Sequence, residues 1–317
     1  MTHLTLTARS NRGAGRFADR LFRGSSRLAA SVLVALLILI AVLLYLNSRL
    51  TWQTFGLAFI TGDTWDPVAG IYGAFPFIVG TVLAAGIAVI IAAPIGIFTA
   101  IYLSELAPGR LARPLTFMIE LLAAIPSVVI GLWGVFILAP FLRGTVEAWI
   151  VSVFGWIPFL GGPAYGIGLF SAGIILTIMI LPTIVAISRE VITTVPNSQR
   201  EAMAALGATR WEVVRGAVLP YARSGIIGAI ILGLGRALGE TMAVTMVIGN
   251  AQNIPSRLFD QGQTIASKIA TTFNEASIGL QTSALIYLGL ILLVITIAMN
   301  VLARLLVRRV GSEGARA

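Results

Sequence analysis

An arginine and a glutamate interrupt the otherwise apolar or small-residue stretch 233-GLGRALGETMAVTMVIGN-250. Arg236 and Glu240 are the residues whose type and setting point most directly to chemistry. A guanidinium presents a planar fork of donors suited to oxyanions. A carboxylate at i+4 on one helical face can touch it and partly neutralise it. Two readings fit the pair. In one, it is a buried ion pair that fixes helix register. In the other, Arg236 faces an anion route and Glu240 competes for the guanidinium, so that a bound anion can also leave. Gly235 and Gly239, also four apart, would let a second helix approach closely. That places this segment at the centre of a helix bundle or at a subunit interface. Glu120 is a third charge near an apolar run, either interfacial or paired with Arg236 or a loop arginine. Thr241 and Thr245 either line a path or back-bond to their own helix. Asp63 and Asp66 are loop residues that solvent, or a basic patch on a partner, can satisfy.

The rest of the composition narrows the chemistry. The 317 residues are 57% hydrophobic and 11% charged, with a mean hydropathy of +0.94. Soluble domains carry about a quarter charged residues, so this is an all-α integral membrane protein. Cysteine is absent and His3 is the single histidine, which excludes thiol catalysis and makes a histidine triad or metal centre untenable. The net charge of +9 is almost all arginine, Lys268 being the single lysine. No aromatic-interleaved basic patch accompanies it, so the charge reads as membrane-flanking rather than nucleic-acid-binding. Gly-x-x-x-x-Gly-Lys-[Ser/Thr] is missing, so any ATP is hydrolysed on another chain.

Six apolar stretches are long enough to span: 28–47, 75–103, 117–140, 165–187, 225–250 and 283–306. Pro94, Pro126 and Pro182 fall inside three of them, where neighbouring helices can absorb a kink. The first stretch follows four arginines but lacks a small-x-small cleavage site, so it reads as a retained anchor. Placing both termini inside puts 17 basic residues on the cytoplasmic side, against Arg49, Arg143, Arg257 and Lys268 outside. That bias sets the expected topology. The organisation expected is a disordered cytoplasmic tail over 1–24, a first span and outer loop over 25–74, a transmembrane domain over 75–307 and a cytoplasmic tail over 308–317. No inverted repeat is visible.

The cytoplasmic loop 188–224 carries local helix signals. Ser198 to Glu201 fits a capping box, and Gly207 is a helix stop. Thr209 to Glu212 fits a second capping box, with Pro220 discouraging continuation beyond Leu219. Two short helices cannot bury a core of their own. Ala202, Ala205 and Leu206 line one face, which either docks into a groove on a partner or packs on the chain's own spans. Glu201 can serve as a cap or as a docking contact.

Glu201-Ala202-Met203, then Gly207, then Leu219-Pro220 resembles the loop motif of ABC importer permeases. Met203 stands where that family has alanine, and Ala217 where it often has isoleucine. The run 219-LPYARSGIIGAIILGLGRALGETMAVTMVIGN-250, with 61-TGDTWDP-67 and 120-ELLAAIPSVVIGLWG-134, is similar to phosphate-specific importer permeases of the PstC type. The resemblance covers about residues 28 to 310. It implies a type I ABC importer permease fold with six transmembrane helices, and docking of the loop at Glu201, Ala202, Ala205, Leu206 and Gly207 into an ATPase. It further implies a PstA-like second permease subunit, two ATPase subunits and an extracytoplasmic phosphate-binding protein. This chain itself would carry no cofactor, ATP being used by the partner. Physics alone leaves another oxyanion such as sulfate or molybdate open. An ion-coupled secondary transporter is weakened by the shaped loop, and a membrane enzyme by the lack of catalytic groups.

Overall fold

The computed structural model describes residues 12–313, with side chains from 21 to 305. Helix α1 spans Arg12–Asn47. Two short helices follow, α2 (Arg49–Phe55) and α3 (Ala58–Thr61), then a hairpin of β1 (Trp65–Asp66) and β2 (Ile71–Tyr72). Helix α4 runs Phe75–Leu106 and ends in a wider π turn, Tyr102–Leu106. Helix α5 is Gly109–Ala124, α6 is Ser127–Phe154 and α7 is Leu169–Thr193. Short α8 (Asn197–Ala205) precedes the long α9 (Arg210–Gly239). After α10 (Met242–Val247) and α11 (Ile265–Thr272), α12 closes the chain at Leu280–Glu313.

Among the described residues, six helices, α1, α4, α6, α7, α9 and α12, are long and apolar enough to cross a membrane. At 1.5 Å per residue, α7's 25 residues reach about 38 Å, past a hydrocarbon core of about 30 Å. Small residues let the central helices approach closely. Ala84, Ala88 and Ala92 of α4 are fully buried. Gly96 lies against Ile184, Gly173 against Ile87, Gly225 against Val191 and Gly233 against Ile184. A methyl group at any of the four would meet a side-chain carbon at 3.0 Å or less.

The core is layered along the bundle. A central cluster includes Ala88, Ile130, Ile175, Ile180, Leu238 and Val244. Phe59, Trp65, Phe77, Ile265 and Leu288 fill the hairpin end. Ile101, Leu103, Val185, Ile192, Val214 and Val218 fill the opposite end, beneath α8. Helix α1 stands outside all three, most of its leucines and isoleucines exposed as on a lipid-facing helix, with Leu44 half-buried against α12.

Several boundaries differ from the sequence reading; the third span, for one, ends at Phe154 and not at 140, and the fourth runs Leu169–Thr193 and not 165–187. The third span begins at Ser127, not 117, because Pro126 caps α6 and the residue before it, Ile125, is extended (ψ 128°). Proline disfavours helical conformation in its predecessor, so α5 is a separate amphipathic helix. The fifth span begins at Arg210 and stops at Gly239, with Glu240 extended (ψ 128°). Pro220 does not break α9, because the π turn Val214–Val218 just before it relieves the crowding that proline imposes on the preceding turn. The expected tail over 1–24 is helical from Arg12 onward. Residues 1–11 and 314–317 lie outside the described residues.

Candidate functional site

Helix α8 is shaped entirely by local chemistry. Gly207 takes φ +83°, the left-handed conformation glycine adopts without a Cβ penalty. Its N–H bonds to the Ala204 carbonyl (2.9 Å), and the Ala208 N–H to that of Met203 (3.2 Å). This is a Schellman stop. Thr209 then starts α9 with a full capping box. Its N–H donates to Glu212 Oε2 (2.7 Å), and the Glu212 N–H donates to Thr209 Oγ1 (3.4 Å). The box expected from Ser198 to Glu201 does not form. The helix starts two residues earlier, after Pro196, with no side-chain cap.

No residue of α8 is buried. Glu201, Ala202 and Ala205 are exposed, and Leu206 is 84% exposed. Met203 points the other way, where its Cε lies 2.9 Å from a Cβ placed on Gly216. The family departure at Met203 therefore sits on the inward side, away from the exposed face.

Sequence reasoning missed what fastens this helix. Arg200 of α8 donates to Glu105 Oε1 (2.7 Å) in the π turn that ends α4. It also donates to the Ile192 carbonyl (3.0 Å), the Val195 carbonyl and Asn197 Oδ1 (3.4 Å). Glu105 lies 95 positions away in the chain, so no local spacing could have revealed the pair.

Arg236 and Glu240 are arranged otherwise than a continuous helix predicts. The helix ends between them, and no ion pair joins them. The half-buried Glu240 turns its carboxylate to the Ala243 N–H (3.4 Å) at the start of α10. That serves an orphan donor of the new helix. Arg236 is exposed. It sits on one stripe of α9 with Gly228, Leu232, Gly235 and Gly239. Leu232 is 58% exposed, and a Cβ on any of the three glycines would meet nothing within 4 Å. The opposite stripe, Ile226, Ala229, Gly233 and Ala237, is buried. A polar, glycine-lined face of a central helix is thus left uncovered by the chain itself.

The break has a packing cause. Gly131 of α6 seats α10, since a Cβ there would lie 3.0 Å from Ala243 Cα and 2.6 Å from Met246 Sδ. Two interruptions, at Pro126 and at Glu240, therefore lie at the ends of packed segments. Thr245 back-bonds to the Thr241 carbonyl (2.7 Å) and Thr241 to that of Gly239 (3.3 Å).

The remaining candidates separate. Glu120 is not paired with Arg236. It lines a cleft of about 340 Å³ with Thr116, Arg189, Glu190 and Thr193. Arg189 Nε is buried there without a hydrogen-bond partner. Asp66 accepts from the Val68 and Ala69 N–H groups (2.8 and 3.1 Å), closing the hairpin turn. Arg143 and Arg257 line separate clefts at the hairpin end. Lys268 of α11 is 3% exposed, with Nζ 4.8 Å from the Trp65 ring centre and 5.3 Å from that of Phe77. With the Gln252 amide donating to the Trp65 carbonyl (3.0 Å), its oxygen accepts from Lys268 Nζ (3.3 Å). Burial pushes the Lys268 pKa down to about 8.

Residues 92–312 match the family described as binding-protein-dependent transport system inner membrane component. The chain is 48% identical over 313 residues to a phosphate transport system permease protein PstC of Mesorhizobium japonicum, covering 96% of each. It is 46% identical to that of Pasteurella multocida, covering 98% of each. Among solved structures, a bacterial ABC transporter importing alginate superposes with TM-score 0.56 at 18% identity, over 92% of this chain and 99% of that one. The MetNI methionine ABC transporter superposes with TM-score 0.54 at 20% identity, over 75% and 94%. These likenesses show the shared fold, the type I importer permease arrangement of membrane helices. With its family match and its full-length similarity to phosphate transport permeases, the chain belongs to the binding-protein-dependent inner-membrane transport components, within the PstC family.

Proposed function

We infer that this chain is the membrane-spanning permease subunit of an ATP-driven importer carrying inorganic phosphate across the cytoplasmic membrane. Full-length similarity at 48% identity to a phosphate transport permease carries the reading. The arginine bias puts both termini and α8 on the cytoplasmic side. There the uncovered face of Ala202, Ala205 and Leu206, flanked by Glu201 and stopped by Gly207, is offered to a separate ATPase chain, two copies of which serve the importer. The hairpin end faces an extracytoplasmic phosphate-binding protein.

The uncovered stripe of α9 is where a second, PstA-like permease meets this one, with the phosphate route between them. Arg236 stands on that stripe without a carboxylate partner, so its fork is available to an oxyanion. A charge at membrane depth costs about 2.5–3.5 kcal/mol on insertion scales and normally faces a water-filled path. Glu240, four residues on, beyond the helix end and turned to Ala243, is the nearby anion that limits how tightly phosphate is held.

The test is radiolabelled phosphate uptake by cells that depend on this system, with Arg236→Gln compared with wild type at matched membrane levels. Uptake lost with the ATPase still bound is the expected result. Retained uptake would remove Arg236 from the route. Competition by excess sulfate or molybdate, in place of phosphate, would shift the substrate to another oxyanion.

A further inference from the structure

We propose that Arg200 and Glu105 form a linkage that transmits movement of α8 to spans α4 and α7, tying ATP hydrolysis to transport. The inference rests on the importer reading and deepens it by assigning a positioning role to two residues.

Chain connectivity gives α8 only two neighbours, α7 before it and α9 after it. Because α8 buries no residue, side-chain packing alone transmits little force to the bundle. Arg200 supplies the missing attachment. One guanidinium reaches both oxygens of Glu105 through Nε (3.3 Å each) and Oε1 again through Nη2 (2.7 Å). The same group holds the carbonyls of Ile192, in the last turn of α7, and of Val195 just beyond it. A planar guanidinium fixes all these bonds in one geometry, so α8 and the ends of α4 and α7 meet at a single point.

The pair is partly shielded, with the Arg200 and Glu105 side chains 21% and 12% exposed, and so is less screened by salt than a surface pair. Directly beneath lies the buried cluster of Ile101, Leu103, Ile192, Val195, Val214 and Val218. Packed clusters shift as units rather than deforming continuously. Arg200 and Met203 occupy the inward side of α8, while Ala202, Ala205 and Leu206 occupy the outward side. Push on the outward side and the inward side carries the displacement into α4, a helix that α8 does not adjoin in sequence.

The test uses the complete complex with its ATPase and binding protein in vesicles, recording phosphate moved and ATP hydrolysed together. Glu105→Gln is the mild variant, because it leaves Arg200 on its carbonyls; Arg200→Gln removes every bond. Both are expected to keep the ATPase bound and hydrolysing, while phosphate moved per ATP falls at least about fivefold, the lower end of ordinary coupling between sites. The double variant is expected to fall no further than Arg200→Gln alone. Arg200→Lys, which keeps the charge and loses the fork, is expected to lie between. An unchanged ratio in both single variants overturns the proposal. Loss of ATPase binding in both also overturns it, since the pair would then only hold the docking surface. A wild-type complex that hydrolyses ATP without moving phosphate would overturn the importer reading, and this inference with it.

Discussion

Arg200 and Arg236 sit on helices of the same bundle, each with a glutamate close by in sequence, and their fates are opposite. Arg236 has Glu240 at helical spacing, yet the helix ends between them and the two do not pair. Arg200 has no i+4 carboxylate, yet it forms a 2.7 Å ion pair with a glutamate 95 positions away. Intrahelical spacing says which side chains can meet only while the helix persists. Beyond a break, partners are chosen by how elements pack. One arginine is committed to holding its own chain together, and the other is left open on a face the chain does not cover.

Substitutions that reverse these fates should separate the two regions. The largest effect is expected from Leu206→Glu, which puts a charge on the outward face of α8. Central contacts in a docked interface are worth about 2 kcal/mol or more, so ATPase co-purification should fall more than about thirtyfold while the membrane chain remains folded. An unaffected complex would show that this face is not the docking surface. Next comes Arg236→Lys, which keeps the charge but not the fork. Phosphate uptake should fall about tenfold, the equivalent of about 1.4 kcal/mol, with the ATPase still bound. Uptake equal to wild type would reduce Arg236 to a point charge.

A smaller, local effect is expected at the stop of α8. Gly207→Ala forces a Cβ into φ +83°, at a cost of about 1–2 kcal/mol. Faster protease cleavage of the 194–209 loop would report it, and an unchanged cleavage rate would mean that the stop contributes little. Smallest is a shift with pH at Lys268, a buried cation that, unlike Arg200, has no carboxylate partner. Its pKa is pushed down to about 8 from 10.5 by burial. Between those values the unfolded chain keeps the proton that the folded chain releases, so stability rises with pH over that window. Below about 8 the burial penalty is fully present. The melting temperature in detergent should therefore rise between pH 8 and 10 in wild type and stay flat over that range in Lys268→Met. A flat wild-type curve would argue against the depressed pKa.

Much of the fold was legible because membrane burial leaves a strong trace. Runs of about 20 apolar residues announced six spans, and the described residues hold six helices long and apolar enough to be them. The Thr209 capping box and the Gly207 stop were legible because both rest on hydrogen bonds within a few residues. The Ser198 box was misread for the same kind of reason: Pro196 offered an earlier start that fixed the register first. The ends of the third and fifth spans were not legible from hydropathy, which counts apolar atoms and is blind to a backbone that turns. At Ile125 the cause is steric and could have been read from Pro126. At Glu240 it is tertiary, since α10 turns away to seat Ala243 and Met246 on Gly131.

By itself, then, the sequence determined the solvent this chain lives in, the number of its long apolar stretches, the stop of α8 and the start of α9, and its family. Those follow from composition and from contacts over a few residues. Only the tertiary structure decided that Arg236 is unpaired, that Glu240 serves a new helix and that Arg200 joins Glu105. These outcomes depend on which distant helices touch. Packing of methyl-sized gaps decides that, and no spacing along the chain encodes it.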